Sequence, residues 1–323
     1  MPTPTPSDVH EDALLTQFSV ATLQEPNSFV ADKVFPRISV NNQTDKYATF
    51  TAADFLRSAM QRRGVAAASA GSSYTTSKSP YHTEDWSLHI DVDDKTVANA
   101  DSVYSPYENA TAYLTQMEML KREEEWISNF FGTGIWTTDK TGGTDFTEIG
   151  DDTSDPIGFV SDYQEAVEDL TGLLPMDLVV NRRGANALRN HPDLVARISG
   201  GASSGSPAIV TMQNIAGVLG LDRIHVASAI RNTAQEGETA SISRLAGNHA
   251  LLCYVNPNPG PMQQTSGATF VWNRYIGSSE GRRIKRWRDE DVESERIEIN
   301  ANWDQRVIGA GLGLFMSGFV AAA

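Results

Sequence analysis

A chain of 323 residues with 40% hydrophobic and 21% charged residues has the composition of a globular protein, with length for about two average domains. Its net charge of −15 argues against a general nucleic-acid binder, because neutralising phosphates takes clustered Lys and Arg. A single cysteine excludes disulfides within the chain and cysteine-zinc centres by count, and no run of 18 or more apolar residues is present to cross a membrane as a helix.

The start, Met1-Pro-Thr-Pro-Thr-Pro6, has neither the basic end nor the apolar stretch of a signal peptide, so a chain made and kept in the cytosol is expected. The first 26 residues are Pro/Thr-rich and read as an extended arm. Short strand-like pieces such as Tyr47-Ala-Thr-Phe50 precede a Gly/Ala/Ser stretch, Gly64 to Ser73, that fits a flexible hairpin tip. On the return, Trp86, Leu88, Ile90 and Val92 alternate with Ser87, His89 and Asp91, the period of a half-buried strand. Residues 46 to 93 therefore read as one long two-stranded excursion, which needs something to lie on.

From Glu108 to Phe131 the period becomes helical, with Tyr113, Met117, Leu120, Ile127 and Phe131 on one face and Lys121 to Glu125 mostly off it. About 24 residues at 1.5 Å each span roughly 36 Å. Asp155-Pro156 opens a second helix with Asp155 as N-cap. The strand Met176 to Val180, the N-cap Asn181, helices through Leu188 and near Met212 to Leu219, and the strand Arg223 to Ala227 alternate as in an α/β lobe. The last third returns to strands at Ala250 to Val255, Ala268 to Trp272, Arg282 to Arg288, and Glu295 onwards.

Few residues carry catalytic chemistry. Cys253 lies in the apolar run Ala250 to Val255, where a small buried hydrophobe is the ordinary reading and a reactive thiol the rare one. Gly201-Ala-Ser-Ser-Gly205 has hydrolase-elbow spacing, but around Ser203 it forms part of a low-complexity loop. The six histidines, His10, His82, His89, His191, His225 and His249, have no metal-ligand spacing, and no phosphate loop or dinucleotide fingerprint exists, so no cofactor is indicated. Glu123-Glu-Glu125 point in different directions on a helix and are expected to be solvated or paired with a basic neighbour. Charge is segregated further on: Arg282 to Arg288 carries five cations, and Asp289 to Glu295 carries five anions. Strands that pair these halves, within the chain and between chains, are the expected use.

Arm, hairpin, long helix, α/β lobe and closing strands, in that order, resemble the major capsid proteins of tailed double-stranded DNA phages, the Hong Kong 97-type fold. The wording agrees in Phe29-Val-Ala-Asp-Lys-Val-Phe-Pro36, Asp45-Lys-Tyr47, Arg122-Glu-Glu-Glu-Trp-Ile127, Leu188-Arg-Asn-His-Pro-Asp193, Leu251-Leu-Cys-Tyr254, Pro257-Asn-Pro-Gly260 and Arg283-Ile-Lys-Arg-Trp-Arg-Asp-Glu290. The resemblance implies an α+β subunit with an N-terminal arm (1–44), an extended hairpin or E-loop (45–98), a peripheral domain with a spine helix (99–175 and 266–323) and an axial domain (176–265). It implies no catalysis, self-assembly into hexamers and pentamers of an icosahedral shell, and a place in the virion. The shell would enclose double-stranded DNA without sequence-specific binding and without a membrane.

Nothing like the cleaved scaffolding segment of many relatives precedes Phe29, so a separate scaffolding protein is expected, beside a portal and a decoration protein. Intersubunit contacts are expected at Tyr47, Phe50, Arg57 and Trp86, and in the charged pair at Arg282, Arg283, Lys285, Arg286, Arg288, Asp289, Glu290, Asp291 and Glu293. An encapsulin-like protein compartment is the alternative within the fold, and a serine hydrolase using Ser203 the alternative from another class.

Overall fold

The computed structural model describes residues 24–50, 52–100, 105–200, 210–260, 263–278 and 280–321. A one-turn helix, α1 (Ala31–Val34), leads into β1 (Arg37–Val40) and β2 (Thr44–Phe50), and α2 (Ala52–Phe55) opens an irregular loop. The chain returns as β3 (Thr76–His82) and continues through Thr83 into β4 (Glu84–Asp93), α3 (Asp94–Asn99) and the long helix α4 (Pro106–Phe130). Next come β5 (Thr138–Thr141), α5 (Pro156–Thr171), β6 (Asp177–Asn181), α6 (Arg182–Asn190), α7 (Pro192–Ser199), α8 (Met212–Val218) and β7 (Arg223–Ala227). A small hairpin of β8 (Ile230–Asn232) and β9 (Ile242–Arg244) precedes β10 (Ala250–Cys253), β11 (Gly267–Trp272) and the one-turn α9 (Asn273–Ile276). The chain closes with β12 (Arg282–Asp289), β13 (Ser294–Val307) and β14 (Gly313–Ser317).

Local chemistry sets the helix starts that the sequence announces. The Asp155 carboxylate accepts from the Gly158 amide at 2.9 Å with Pro156 in the first turn, and the Asn181 side chain accepts from the Gly184 amide at 2.6 Å.

One sheet has the order β5-β14-β10-β6-β7 and is covered on both faces. Alternation along its buried strands sorts the side chains: Leu178, Val180, Leu252, Leu314 and Met316 join the core beneath helices α5 to α8. Val179, Leu251, Cys253 and Phe315 face the other way, into a second core with Val34, Phe35, Trp126, Phe131 and Trp136. This sheet draws β14 from the 266–323 stretch as well as β6, β7 and β10 from 176–265, so chain order does not separate the lobes cleanly.

The other five-stranded sheet has the path β1-β11-β13-β12, with β4 also on β13. Residues 294–301 of β13 pair with β12 and with β4 at once, so those two strands flank it on opposite sides and each presents an open edge. Helix α4 lies on this sheet through Ala110 and Leu114, against Val92, Ile297 and Ile299. The 46-to-93 excursion is therefore corrected: only β2 and β3 form a free ribbon, while Trp86 to Val92 belong to β4 in the body. The strand period was right, but period cannot name the partner strand.

The expected buried face of α4 is corrected as well. Its buried residues are Ala110, Leu114, Gln116, Glu118, Arg122, Glu123 and Trp126, whereas Tyr113 is exposed. Arg122 binds Glu118 at 2.5 Å and Asp32 at 3.1 Å, and the Glu123 carboxylate accepts from the Val30 and Ala31 amides at 2.9 and 2.8 Å. Asp32 and the Val30 and Ala31 amides come from the chain leading into β1, while Glu118 stands one turn earlier on α4, so charges that a helical wheel assigns to solvent lie inside.

Close backbone approach fixes two glycines. A Cβ on Gly267 would meet the Phe35 ring at 2.3 Å, and one on Gly313 would meet the Trp136 ring at 2.2 Å. Gly267→Ala is expected to lower stability by about 1–3 kcal/mol, because a packed ring must move. An unchanged urea midpoint would show that Phe35 has room to yield.

Candidate assembly surfaces

The β2–β3 ribbon is fastened at its base and open beyond. Tyr81 stacks on Phe270 at 4.7 Å and Tyr47 packs on the same ring at 5.1 Å, while the His82 amide donates to the Asp304 carboxylate at 2.9 Å. At the far end Phe50, Phe55 and Tyr74 form a ring cluster with centroids 5.7 to 6.0 Å apart, and the Thr75 amide donates to Asp54 at 2.8 Å. Past this cluster Leu56, Met60 and Val65 are exposed, Met60 at 96%. Of the expected contact residues, Tyr47 and Phe50 thus pack within their own chain, and Arg57 is exposed.

The charge-segregated stretch folds on itself as the β12–β13 hairpin. Arg286 pairs with Glu295; Arg288 reaches Asp94 at 2.5 Å and Glu290 at 3.5 Å; Arg296 binds Asp91 at 2.6 Å and Asp289 at 3.2 Å. Arg282 holds Glu280 at 2.9 Å and lies 3.5 Å from Glu118, and Arg283 sits over the Tyr275 ring at 5.4 Å. Hydrogen bonds from Arg296 and Arg288 hold the Asp91 and Asp94 carboxyls below the usual range. Such exposed pairs contribute little each and are screened by salt. Lys285, Asp291 and Glu293 are exposed, as are the apolar Ile284 and Trp287 on the cationic edge strand β12.

A groove follows the seam between α4 and strands β4 and β13. Met117, Lys121, Glu125 and Asn129 succeed one another at one-turn intervals along the helix. At one end, an apolar hollow of 160 Å³ is lined by Trp86, Leu88, Met117, Ile299 and Trp303. At the other, a polar hollow of 330 Å³ includes Glu84, Glu125, Asn129 and Asp304. Trp303 borders both; it stacks on Trp86 at 5.6 Å and its Nε1 donates to Glu125 at 3.2 Å. Lys121 lies 4.8 Å above the Trp86 ring. The sequence pointed to Trp86 alone, because the groove joins residues some 200 positions apart.

Catalytic constellations fare poorly. Ser154 and His191 meet at 2.8 Å, both buried, a pair the sequence does not announce. His191 Nδ1 accepts from the Asp193 amide, which places its proton on Nε2 facing the serine, while the Ser154 hydroxyl donates to the Asp151 carbonyl. The imidazole therefore donates to this serine and cannot deprotonate it. Cys253 is fully buried, and burial pushes its thiol well above the usual range. Among the described residues no three His, Cys, Asp or Glu side chains cluster to hold a metal, and no helix is long and apolar enough to cross a membrane. Ser203 and its glycine-rich loop lie outside the described residues.

No protein-family profile matches the chain. It is 26% identical over 311 residues to the major capsid protein of Pseudomonas phage JBD67, covering 94% of this chain and 96% of that one. A 173-residue match to the major capsid protein of Burkholderia phage BcepMu is 25% identical and covers 54% of this chain and 52% of the relative. Among solved structures, a phage-related protein of Bordetella bronchiseptica RB50 matches with a TM-score of 0.69 at 18% identity, over 93% and 95% of the two chains. The capsid of cyanophage P-SCSP1u gives 0.57 at 10% identity over 93% and 91%, and an encapsulin complex of Synechococcus elongatus 0.53 at 10% over 95% of each. In sequence along nearly the whole of both chains, and in its mixed helix-and-sheet fold, this chain is a homologue of phage major capsid proteins.

Proposed function

We propose that this chain is the repeating wall subunit of a phage head, forming hexamers and pentamers of an icosahedral shell around double-stranded DNA by self-association and without catalysis. The observation that carries the reading is the nearly full-length likeness to a phage major capsid protein. In this reading residues 1–44 are the arm, the ribbon from β2 to β3 and the loop between them the extended loop, β4, α4 and β11 to β13 the peripheral domain with α4 as spine, and 176–265 together with β14 the axial domain. A ribbon fastened at its base and apolar at its exposed tip supports a subunit that reaches over its neighbours. The net charge of −15 suits a wall that does not stick to packed DNA. Arg57, Lys285, Asp291 and Glu293, exposed on ribbon and hairpin, are the contact residues best placed to face a neighbour. A separate scaffolding protein and a portal are the partners of this reading, with a decoration protein as an optional addition, and assembly belongs in the host cytoplasm.

Electron microscopy and light scattering test the reading, on the chain expressed alone and with its neighbouring phage genes. Uniform shells, or rings that close into shells, are the expected result; a strict monomer in both cases overturns it. The encapsulin-like alternative, favoured only by the fold likeness, predicts protein cargo inside the shells where the phage-head reading predicts DNA. Deleting residues 64–73, exposed throughout, is expected to leave the unfolding free energy from urea titration within about 0.5 kcal/mol of the parent. The same deletion is expected to impair shell formation, and normal shells from it would remove the ribbon from the assembly account.

A further inference from the structure

We propose that the acidic outer face of α5 in one copy of this chain docks, antiparallel, on the arginine face of α6 and α7 in a second copy. The inference rests on the assembly reading and adds a contact that would carry it. α5 turns Asp162, Glu165, Glu168 and Asp169 to solvent and contains no Lys or Arg. α6 and α7 expose Arg182, Arg183, Arg189 and Arg197, with Asp193 as their one acid. None of these acids of α5 or arginines of α6 and α7 has an ion-pair partner among the described residues; Arg183 donates to the Ala321 carbonyl at 3.3 Å.

Both helices carry this charge against local rules. Glu165 stands three or four residues from Asp162, Glu168 and Asp169, and like charges at those spacings repel. Glu168 and Asp169 lie in the last turn of α5, at the negative end of its dipole, and Arg182 and Arg183 open α6 at the positive end. These misplaced ends do not relieve each other within one chain, because α5 ends before β6 and α6 begins after it, at opposite ends of a strand about 16 Å long. A second copy supplies the relief. Asp162 to Asp169 and Arg182 to Arg189 each advance two turns, about 10 Å, so in antiparallel register Asp169 meets Arg182 while Asp162 meets Arg189. The same placement sets the negative end of α5 beside the positive end of α6. Exposed pairs contribute little singly, but a complementary row fixes register and partner. A nucleic-acid backbone would also suit the arginines, yet it leaves the acids of α5 unanswered. The contact joins two different surfaces of identical chains and so propagates around a ring.

The test is a charge swap in the full chain. One variant carries Glu165→Lys with Asp169→Lys, the other Arg182→Glu with Arg189→Glu, and assembly is read by light scattering and electron microscopy where the parent forms shells. Each variant alone is expected to melt at or above the parent's temperature, since each relieves a helix of misplaced charge, while assembly falls at least about tenfold. An equal mixture of the two is expected to regain hexamers. Their even number lets the variants alternate, so that every contact again joins unlike charges. Parent-level assembly by either variant alone overturns the contact, as does a mixture that fails to recover. Shells of the arginine variant that form normally but retain no DNA would assign those arginines to nucleic acid, which overturns the contact and leaves the assembly reading intact. If the parent chain never leaves the monomeric state, the assembly reading fails and the contact with it.

Discussion

Arg122→Ala is expected to cost about 3–5 kcal/mol of folding stability, far more than loss of any surface pair of this chain. The Arg122 side chain is 2% exposed and holds Glu118, itself 3% exposed, at 2.5 Å. It also binds Asp32 at 3.1 Å and lies over the Trp303 ring at 4.8 Å. Burial alone would raise the Asp32 pKa, but Arg122 and Arg37 outweigh it and hold the carboxyl below its usual range. Truncation leaves Glu118 buried with Arg282, 3.5 Å away, and the more distant charge of Arg37 as its remaining cationic neighbours. A buried charge without its partner costs its desolvation outright. Replacing both members with apolar residues of similar size, Arg122→Met with Glu118→Leu, is expected to recover most of the loss. Urea midpoints of the three proteins decide the matter. A single-variant loss under about 1 kcal/mol would mean that water reaches the site and solvates the pair.

Stability is also expected to fall between pH 5 and pH 8 through one carboxyl. Burial raises the Glu123 pKa from 4.5 to about 7, in spite of the two amides that donate to it and the nearby Lys33; Asp32 beside it pushes the same way as burial. A folded pKa above the unfolded one means that the fold favours the protonated group. Its contribution is whole below pH 4.5 and is lost as the pH rises through about 7. A shift of that size corresponds to roughly 3 kcal/mol. His249, pushed down by burial, works in the opposite direction over an overlapping range, so the parent protein shows only the difference. Glu123→Gln stays neutral and its carbonyl can still accept from Val30 and Ala31. Its stability is expected to lack the loss seen in the parent between pH 5 and 8. Parallel pH profiles for the two proteins would show that Glu123 titrates as an ordinary carboxyl.

Much of the architecture is legible in the residues because it is written by local rules. Asp155 and Asn181 announce helix starts through capping geometry that needs no tertiary partner. The runs at Met176 to Val180 and Ala250 to Val255 declare strands buried on both faces, whereas the two charge blocks meet only at Arg286–Glu295 and Arg288–Glu290, because most of the anionic block forms the turn between β12 and β13. The likeness to phage capsid subunits was legible too, in phrases spread over the chain.

What pairs with what was not legible. Trp86 to Val92 have the same alternation whether they return beside β2 or enter the body against β13, since a strand's period fixes its faces and leaves its neighbour open. The burial of Arg122 and Glu123 is invisible on a helical wheel, because their partners stand some 90 residues earlier, at Asp32 and at the amides of Val30 and Ala31. The groove along α4 likewise exists only once Trp86 and Trp303 are stacked. By itself the sequence determined the elements, their order and the family likeness, through backbone propensity and side-chain period. The tertiary structure alone decided strand partners, buried charges and concave surfaces, because these depend on contacts between distant segments whose energies no local pattern records.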